Sequence, residues 1–71
     1  SRMKVGDLVR RRHDIDDDII FRPGLVTKVH LWQDPSQPRN VGVDIHVLWS
    51  NGETGVHDEM ELETIVPEEK N

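Results

Sequence analysis

Hydrophobic and polar residues alternate along much of this chain with a period of two, which is the pattern of half-buried β-strands. The clearest case is segment 43–49, where the odd-numbered residues are all apolar and share one face. Shorter segments predict four further strands, at residues 4–10, 25–32, 53–57 and 63–66. No ten-residue stretch has helical periodicity, so the pattern predicts an all-β fold.

The residues between these segments are of types that interrupt strands. Gly6-Asp7 predicts a turn or bulge at the start of the first strand, and Pro23-Gly24 precedes the second. Residues 33–40 contain two prolines and no apolar residue, which predicts a loop. Asn51-Gly52 predicts a type I′ hairpin with positive φ at both central residues. Residues 58–62 predict one helical turn before the last strand.

The length of 71 residues predicts one small domain, which we place at residues 3–66. Ser1-Arg2, ahead of Met3, is interpreted as a cloning remnant, and residues 67–71 as a flexible tail. A domain of this size buries only about 60% of the surface that its unfolded chain exposes. Because the chain has no cysteine for a disulfide, a homo-oligomer is a natural further source of stability.

The composition disfavours several classes of partner and compartment. The formal net charge of −5 disfavours attraction to a nucleic-acid backbone, which depends on clustered Lys and Arg. No apolar run approaches the roughly 18 residues that a membrane span needs. The absence of cysteine fits a reducing compartment, so the predicted location is cytoplasmic.

Four segments in order, KVGDLVR, PGLVTKV, VDIHVLWSNGET and DEMELETI, resemble the SH3-like barrel families. The resemblance is to their KOW and Tudor-like branch, and to small SH3-like proteins of phages and bacteria. It covers residues 4–66 and matches at Gly6-Asp7, Gly24, Val47, Trp49, Asn51-Gly52 and Leu62. It implies a small five-stranded SH3-like barrel whose last strand lies beside the first.

The chain departs from the functional branches of these families. An acidic stretch at residues 14–18 stands where nucleic-acid-binding KOW modules have basic loops. A methyl-lysine cage gathers several aromatic side chains, and this chain has only Phe21, Trp32 and Trp49. The absence of tyrosine disfavours a groove for proline-rich peptides. Trp49, at the end of an apolar alternation, is predicted to lie in the core.

Reactive and metal-binding residue types do not form a recognisable motif. Residues 14–18 lack the glycine and glutamate positions of a calcium-binding loop, so a solvated loop is favoured over a cation site. His13, His30, His46 and His57 lack zinc-ligand spacing, although His46 and His57 are expected to meet across two strands. The sequence therefore predicts no catalytic residue, no cofactor and no metal site.

These observations favour a small non-enzymatic protein–protein interaction or structural module, related to phage proteins. Its expected partner is a protein, either another chain or a second copy. Exposed tryptophan is a typical interface hot spot, although Trp32 is equally suited to covering an end of the barrel. The candidate contact residues are Trp32, Phe21, Arg10, Arg11 and Arg12.

Two alternatives belong to other functional classes. The first is a nucleic-acid-associated KOW-like accessory domain that uses the basic cluster at residues 10–12, although strand alternation divides that cluster between two faces. The second is an oligomeric enzyme whose active site forms between subunits, because the interior of so small a barrel is filled by side chains.

Overall fold

The computed structural model describes residues 3–12 and 22–65, and these residues form a single antiparallel sheet. The order of the strands in the sheet is β4-β3-β2-β1-β5. The strands are β1 (Leu8–Arg11), β2 (Gly24–Asp34), β3 (Gln37–Trp49), β4 (Thr54–Asp58) and β5 (Leu62–Thr64), with a 3-10 turn at Glu59–Glu61. The predicted all-β class, the five strands and the helical turn before the last strand are confirmed.

The core lies on one face of this open sheet, which we call the inner face. Its buried side chains come from four strands, so the sheet must curve for them to meet in one cluster. The predicted core position of Trp49 is confirmed, since only 5% of this residue is exposed. The buried apolar residues are Val9, Val26, Ile45, Val47, Trp49 and Leu62.

Backbone contacts before β1 join the start of the chain to β2. Gly6 has a φ of 98°, a conformation that favours glycine, and its N–H donates to the Val26 carbonyl at 2.9 Å. The Val26 N–H donates in turn to the Asp7 carbonyl at 2.9 Å. The turn predicted at Gly6-Asp7 is thus confirmed, and it extends the pairing of β2 beyond β1.

The 3-10 turn is held by reciprocal capping and delivers β5 to its place beside β1. An Asp58 carboxylate oxygen accepts from the Met60 N–H at 2.8 Å, and a Glu61 carboxylate oxygen accepts from the Asp58 N–H at 2.9 Å. Leu62 follows at once and is fully buried opposite Arg11 of β1. The turn therefore couples the end of β4 to the core.

The prediction of a loop at residues 33–40 is wrong, because both strands continue and only Pro35 and Ser36 form the turn. The Asp34 carboxylate closes it by accepting from the Ser36 N–H at 2.9 Å and the Ser36 hydroxyl at 2.8 Å. Pro38 is tolerated in β3 beside a register irregularity, where the Gln33 side-chain amide donates to its carbonyl at 2.8 Å.

The prediction of a type I′ turn at Asn51-Gly52 is also wrong. Gly52 has a φ of 92°, but no non-glycine residue in the described ranges has positive φ, so Asn51 does not meet the I′ requirement. The connection is longer, with the Trp49 N–H donating to the Glu53 carbonyl at 2.8 Å. The Asn51 side-chain oxygen accepts from the Glu53 N–H at 3.0 Å, so this side chain shapes the loop instead.

Candidate interaction surface

β3 is longer than the strand beside it, and this difference creates a step in the sheet. β4 pairs only with residues 44–48 of β3. Within residues 37–43, Gln37 and residues 41–43 pair with β2 on one side, and none of the seven has a strand on the other side among the described parts of the chain. We call the far part of this hairpin, residues 30–34 of β2 and 37–43 of β3, the arm. Along the free edge of β3, alternate residues direct backbone N–H and C=O groups away from β2.

A groove of about 530 Å³ occupies this step, and we call it the step groove. Its apolar side chains are unusually open, since Leu31 is 60% exposed, Val41 61% and Met60 79%. One end carries two carboxylates, where β4 passes into the 3-10 turn. The lining residues are Leu31, Trp32, Gln33, Val41, Gly42, Val43, Asp58, Glu59 and Met60.

Trp32 lies along the step groove, packed over Gly42 on the neighbouring strand. A Cβ atom added to Gly42 would stand 2.3 Å from Cζ2 of the Trp32 ring, so only glycine leaves room for the indole in this position. Trp32 is half-buried but lies outside the cluster of core residues. The structure therefore places this candidate residue on the arm, in the lining of a groove.

The three candidate arginines make contacts within their own chain. Arg10 Nη2 lies 3.1 Å from a Glu63 carboxylate oxygen, and Arg12 Nη1 lies 4.0 Å from the other oxygen of the same carboxylate. Arg11 faces the opposite way, with its guanidinium carbon 4.1 Å from the ring centroid of Trp49. The basic cluster is thus divided between two faces, and two of its charges share one carboxylate.

Arg12 contacts the backbone of Met60, a residue that lines the step groove. Its Nε donates to the Met60 carbonyl at 2.8 Å, which ties β1 to the 3-10 turn. Asp58 and Glu59 line this end of the groove, and no basic side chain is among the described residues that line it. The remaining candidate, Phe21, and the acidic stretch at 14–18 lie outside the described residues.

A chain of polar contacts crosses the inner face beside the core. The indole N–H of Trp49 donates to Nε2 of His57 at 3.3 Å, and the two rings meet edge to face at 87°. His57 Nε2 must then be the unprotonated nitrogen, which leaves Nδ1 facing a Glu61 oxygen at 3.6 Å. A carboxylate–imidazole pair of this kind orients nucleophiles in enzymes, but an indole is a donor only. The arrangement therefore orders side chains and provides no nucleophile.

His46 and His57 do not form the imidazole pair expected from the sequence. His57 lies opposite Ile45 and His46 lies opposite Val56, so the two histidines are one position out of register and occupy different faces. Within residues 3–12 and 22–65 there is no group of three or more His, Asp or Glu side chains arranged to hold a metal ion. The expectation of a meeting across the strands is wrong.

A second exposed apolar surface runs across the outer face of the sheet. Leu8 of β1 is in register with Leu25 of β2, which is in register with Leu48 of β3. Each of these leucines is 40–44% exposed. A shallow depression of about 420 Å³ lies beside them, but the strands beneath it are fully paired with their neighbours. This surface offers apolar contact without a free strand edge.

Sequence reasoning found Trp32 but missed the other groove residues. Val41 follows the segment interpreted as a loop, while Glu59 and Met60 fall in a turn to which no function was assigned. The available signal was the pair of apolar and β-branched segments at 25–32 and 41–49, which flank residues 33–40 and are compatible with one long hairpin.

Comparison with protein-family models, with curated proteins and with solved structures gives no match to this chain. In the part of the chain that the structure describes, no helix has the length and apolar character needed to cross a membrane.

Proposed function

We propose that this protein is a small non-enzymatic protein–protein interaction module and that the step groove is its binding surface. One observation carries the proposal: three exposed apolar side chains surround a strand edge that has no partner in the described structure. Proteins usually shorten, charge or cover such edges because they pair readily with other chains. An apolar surface retained beside a free edge is typical of an interaction site.

The shape of the groove favours an extended protein segment as its ligand. A segment lying beside residues 37–43 would satisfy the free backbone groups of β3, and its side chains would reach the apolar lining. Trp32 supplies a large ring, which lies over Gly42 and is suited to the role of an anchor. Of the residues expected from the sequence, Trp32 therefore has the strongest support.

We also propose that the curved sheet is an SH3-like barrel acting in the cytoplasm. The pairing of β5 with β1 and the strand order support the fold assignment, and the absence of cysteine supports a reducing compartment. Neither alternative function gains a specific observation. Arg10 and Arg12 contact Glu63, and the Trp49–His57–Glu61 chain lacks a nucleophile.

A selection from a random-peptide display library on the immobilised protein tests this proposal. We expect peptides to be enriched whose binding is lost in Val41→Asp, because this change places a charge in the apolar lining. Val56→Asp is the matched control, since Val56 is also an exposed strand valine, 56% exposed, and does not line the groove. Failure to enrich any peptide, or binding unaffected by Val41→Asp, would contradict the proposal.

A further inference from the structure

We infer that the step groove takes a basic, extended segment of another protein, which adds to β3 in line with β4 and carries apolar side chains at alternate positions. This inference rests on the proposed function and specifies its ligand. Three features carry it: a vacant strand position, the alternation of the groove lining, and the carboxylates at one end.

The vacant position has the dimensions of a short strand. β4 runs antiparallel to β3 and leaves its edge after Asp58, which pairs with Asp44. Beyond this point, residues 41–43 of β3 keep regular register with β2 and span roughly 10 Å at about 3.3 Å per residue. Residues 38–40 then form an irregularity before Gln37 pairs with Asp34. A guest strand of similar length would therefore continue the line of β4 along the free edge.

The groove lining alternates along β3, so it selects side chains at every second position of the guest. Val41 and Val43 face the same side as Leu31, which pairs with Val43, and they form the apolar set. Gly42 lies between them on the other face and has no side chain, so a guest residue beside it reaches towards the Trp32 ring. Apolar guest residues fit against the apolar set, and longer polar residues fit beside Gly42.

Charge selects a basic guest and disfavours a second copy of this chain. Asp58 and Glu59 lie at the end of the groove where the guest approaches β4. A Lys or Arg side chain from the guest would pair with Glu59 there, and a cation near Trp32 would also interact with the indole. A second copy brings the same net charge of −5, so charge opposes its approach.

The first probe is a synthetic peptide of alternating Lys and Val, with alternating Glu and Val as its control. We expect the Lys peptide to bind about tenfold or more tightly than the Glu peptide, with affinity falling as salt increases. Two further peptides carry N-methyl groups on all Val or on all Lys amides. Because only one edge of a guest strand faces β3, methylation of one set abolishes binding and methylation of the other does not.

Protein variants locate the contact. Glu59→Gln is expected to weaken binding of the Lys peptide by about two- to fivefold, the range for an exposed ion pair. Glu53→Gln is the matched control, because it removes the same charge from a loop that does not line the groove. Equal effects of these two substitutions would overturn the assignment of the basic end of the guest to Glu59.

The outcomes separate this inference from the proposed function. Library peptides that need Val41 but show no enrichment of Lys or Arg would overturn the inference and leave the proposed function standing. The same holds for a dimer seen by light scattering that Val41→Asp dissociates, since the occupant is then a second copy. Equal responses to both sets of N-methyl groups would overturn strand addition. Peptide binding that never depends on Val41 would overturn both proposals.

Discussion

The two ends of the β2–β3 hairpin have a similar alternation of apolar residues but differ in how deeply those residues are buried. At the core end, Val26 pairs with Val47 and both are almost fully buried. In the arm, Leu31 pairs with Val43 on the continuation of the same hairpin, yet Leu31 is 60% exposed. β1 and β5 contribute Val9 and Leu62 to the core end. Alternation thus shows which side chains share a face, but the burial of that face depends on other strands.

Replacing one leucine in each region tests this contrast most strongly. Leu62→Ala removes a fully buried side chain and is expected to lower the free energy of unfolding by about 2–5 kcal/mol. Leu31→Ala removes the same atoms from an exposed position and is expected to change it by no more than about 0.5 kcal/mol. Urea denaturation of both variants measures the difference. Similar losses would mean that the arm is packed as tightly as the core.

Two glycines that face aromatic rings provide a second test. An added Cβ at Gly24 would stand 2.3 Å from Cγ1 of Val47 and 2.7 Å from Cε3 of Trp49, both in the core. Gly24→Ala is therefore expected to cost about 1–3 kcal/mol through overpacking. Gly42→Ala meets only the half-buried Trp32 ring, which can move outward, so we expect a cost below about 1 kcal/mol.

The indole N–H signals in an NMR spectrum separate these two effects. Gly42→Ala should shift the signal of Trp32 and leave that of Trp49 unchanged, whereas Gly24→Ala should shift that of Trp49. If Gly42→Ala destabilises the protein as much as Gly24→Ala, the Trp32 ring is not free to move outward and is packed as tightly as the core.

Removing the hydrogen bond between Trp49 and His57 is expected to have a smaller effect on stability than the core substitutions. His57→Phe keeps a ring of similar size but removes the acceptor for the Trp49 indole N–H. We expect a loss of about 1 kcal/mol in the free energy of unfolding, and a shift of the Trp49 indole signal. His30→Phe on the exposed arm is the control and should alter neither quantity. An unchanged Trp49 signal in His57→Phe would show that this hydrogen bond is absent in solution.

The tip of the arm gives the smallest expected effect, and it depends on pH. The pKa of Asp34 lies below its usual value of 3.8, mainly because the Ser36 hydroxyl and then the Ser36 N–H donate to the carboxylate. A lowered folded pKa means that this carboxylate stabilises the turn above pH 3.8, and that the contribution is lost as the pH falls through the lowered pKa.

The Ser36 amide signal should follow that titration at acidic pH. Asp34→Asn keeps an acceptor oxygen without the titration, so the pH response at Ser36 should disappear. A response that persists in Asp34→Asn would assign the titration to another group.

The sequence allowed the prediction of elements whose signals are local. The alternation at 43–49, the turn at Gly6 and the turn before Leu62 all follow from neighbouring residues. Residues 33–40 were misjudged because proline and polar residues are typical of loops, but they also suit a strand with an unpaired edge. Asn51 was misjudged because its side chain caps the Glu53 N–H, which does not require positive φ.

The step groove depends on a non-local difference, and the sequence therefore predicted it only in part. Trp32 was identified from its residue type alone. The contributions of Val41, Glu59 and Met60 arise because β3 extends past the end of β4, and no local pattern records the relative lengths of two paired strands.

The reciprocal cap of the 3-10 turn has a consequence for how this protein can diverge. Asp58 and Glu61 bind backbone N–H groups and are constrained by the turn that positions Leu62. Met60 is exposed and Glu59 is half-buried, and both lie between the two capping residues in the lining of the groove. Substitutions at these two positions can accumulate without loss of the cap. The lining of the step groove can therefore change at these two positions while the cap and the buried Leu62 are retained.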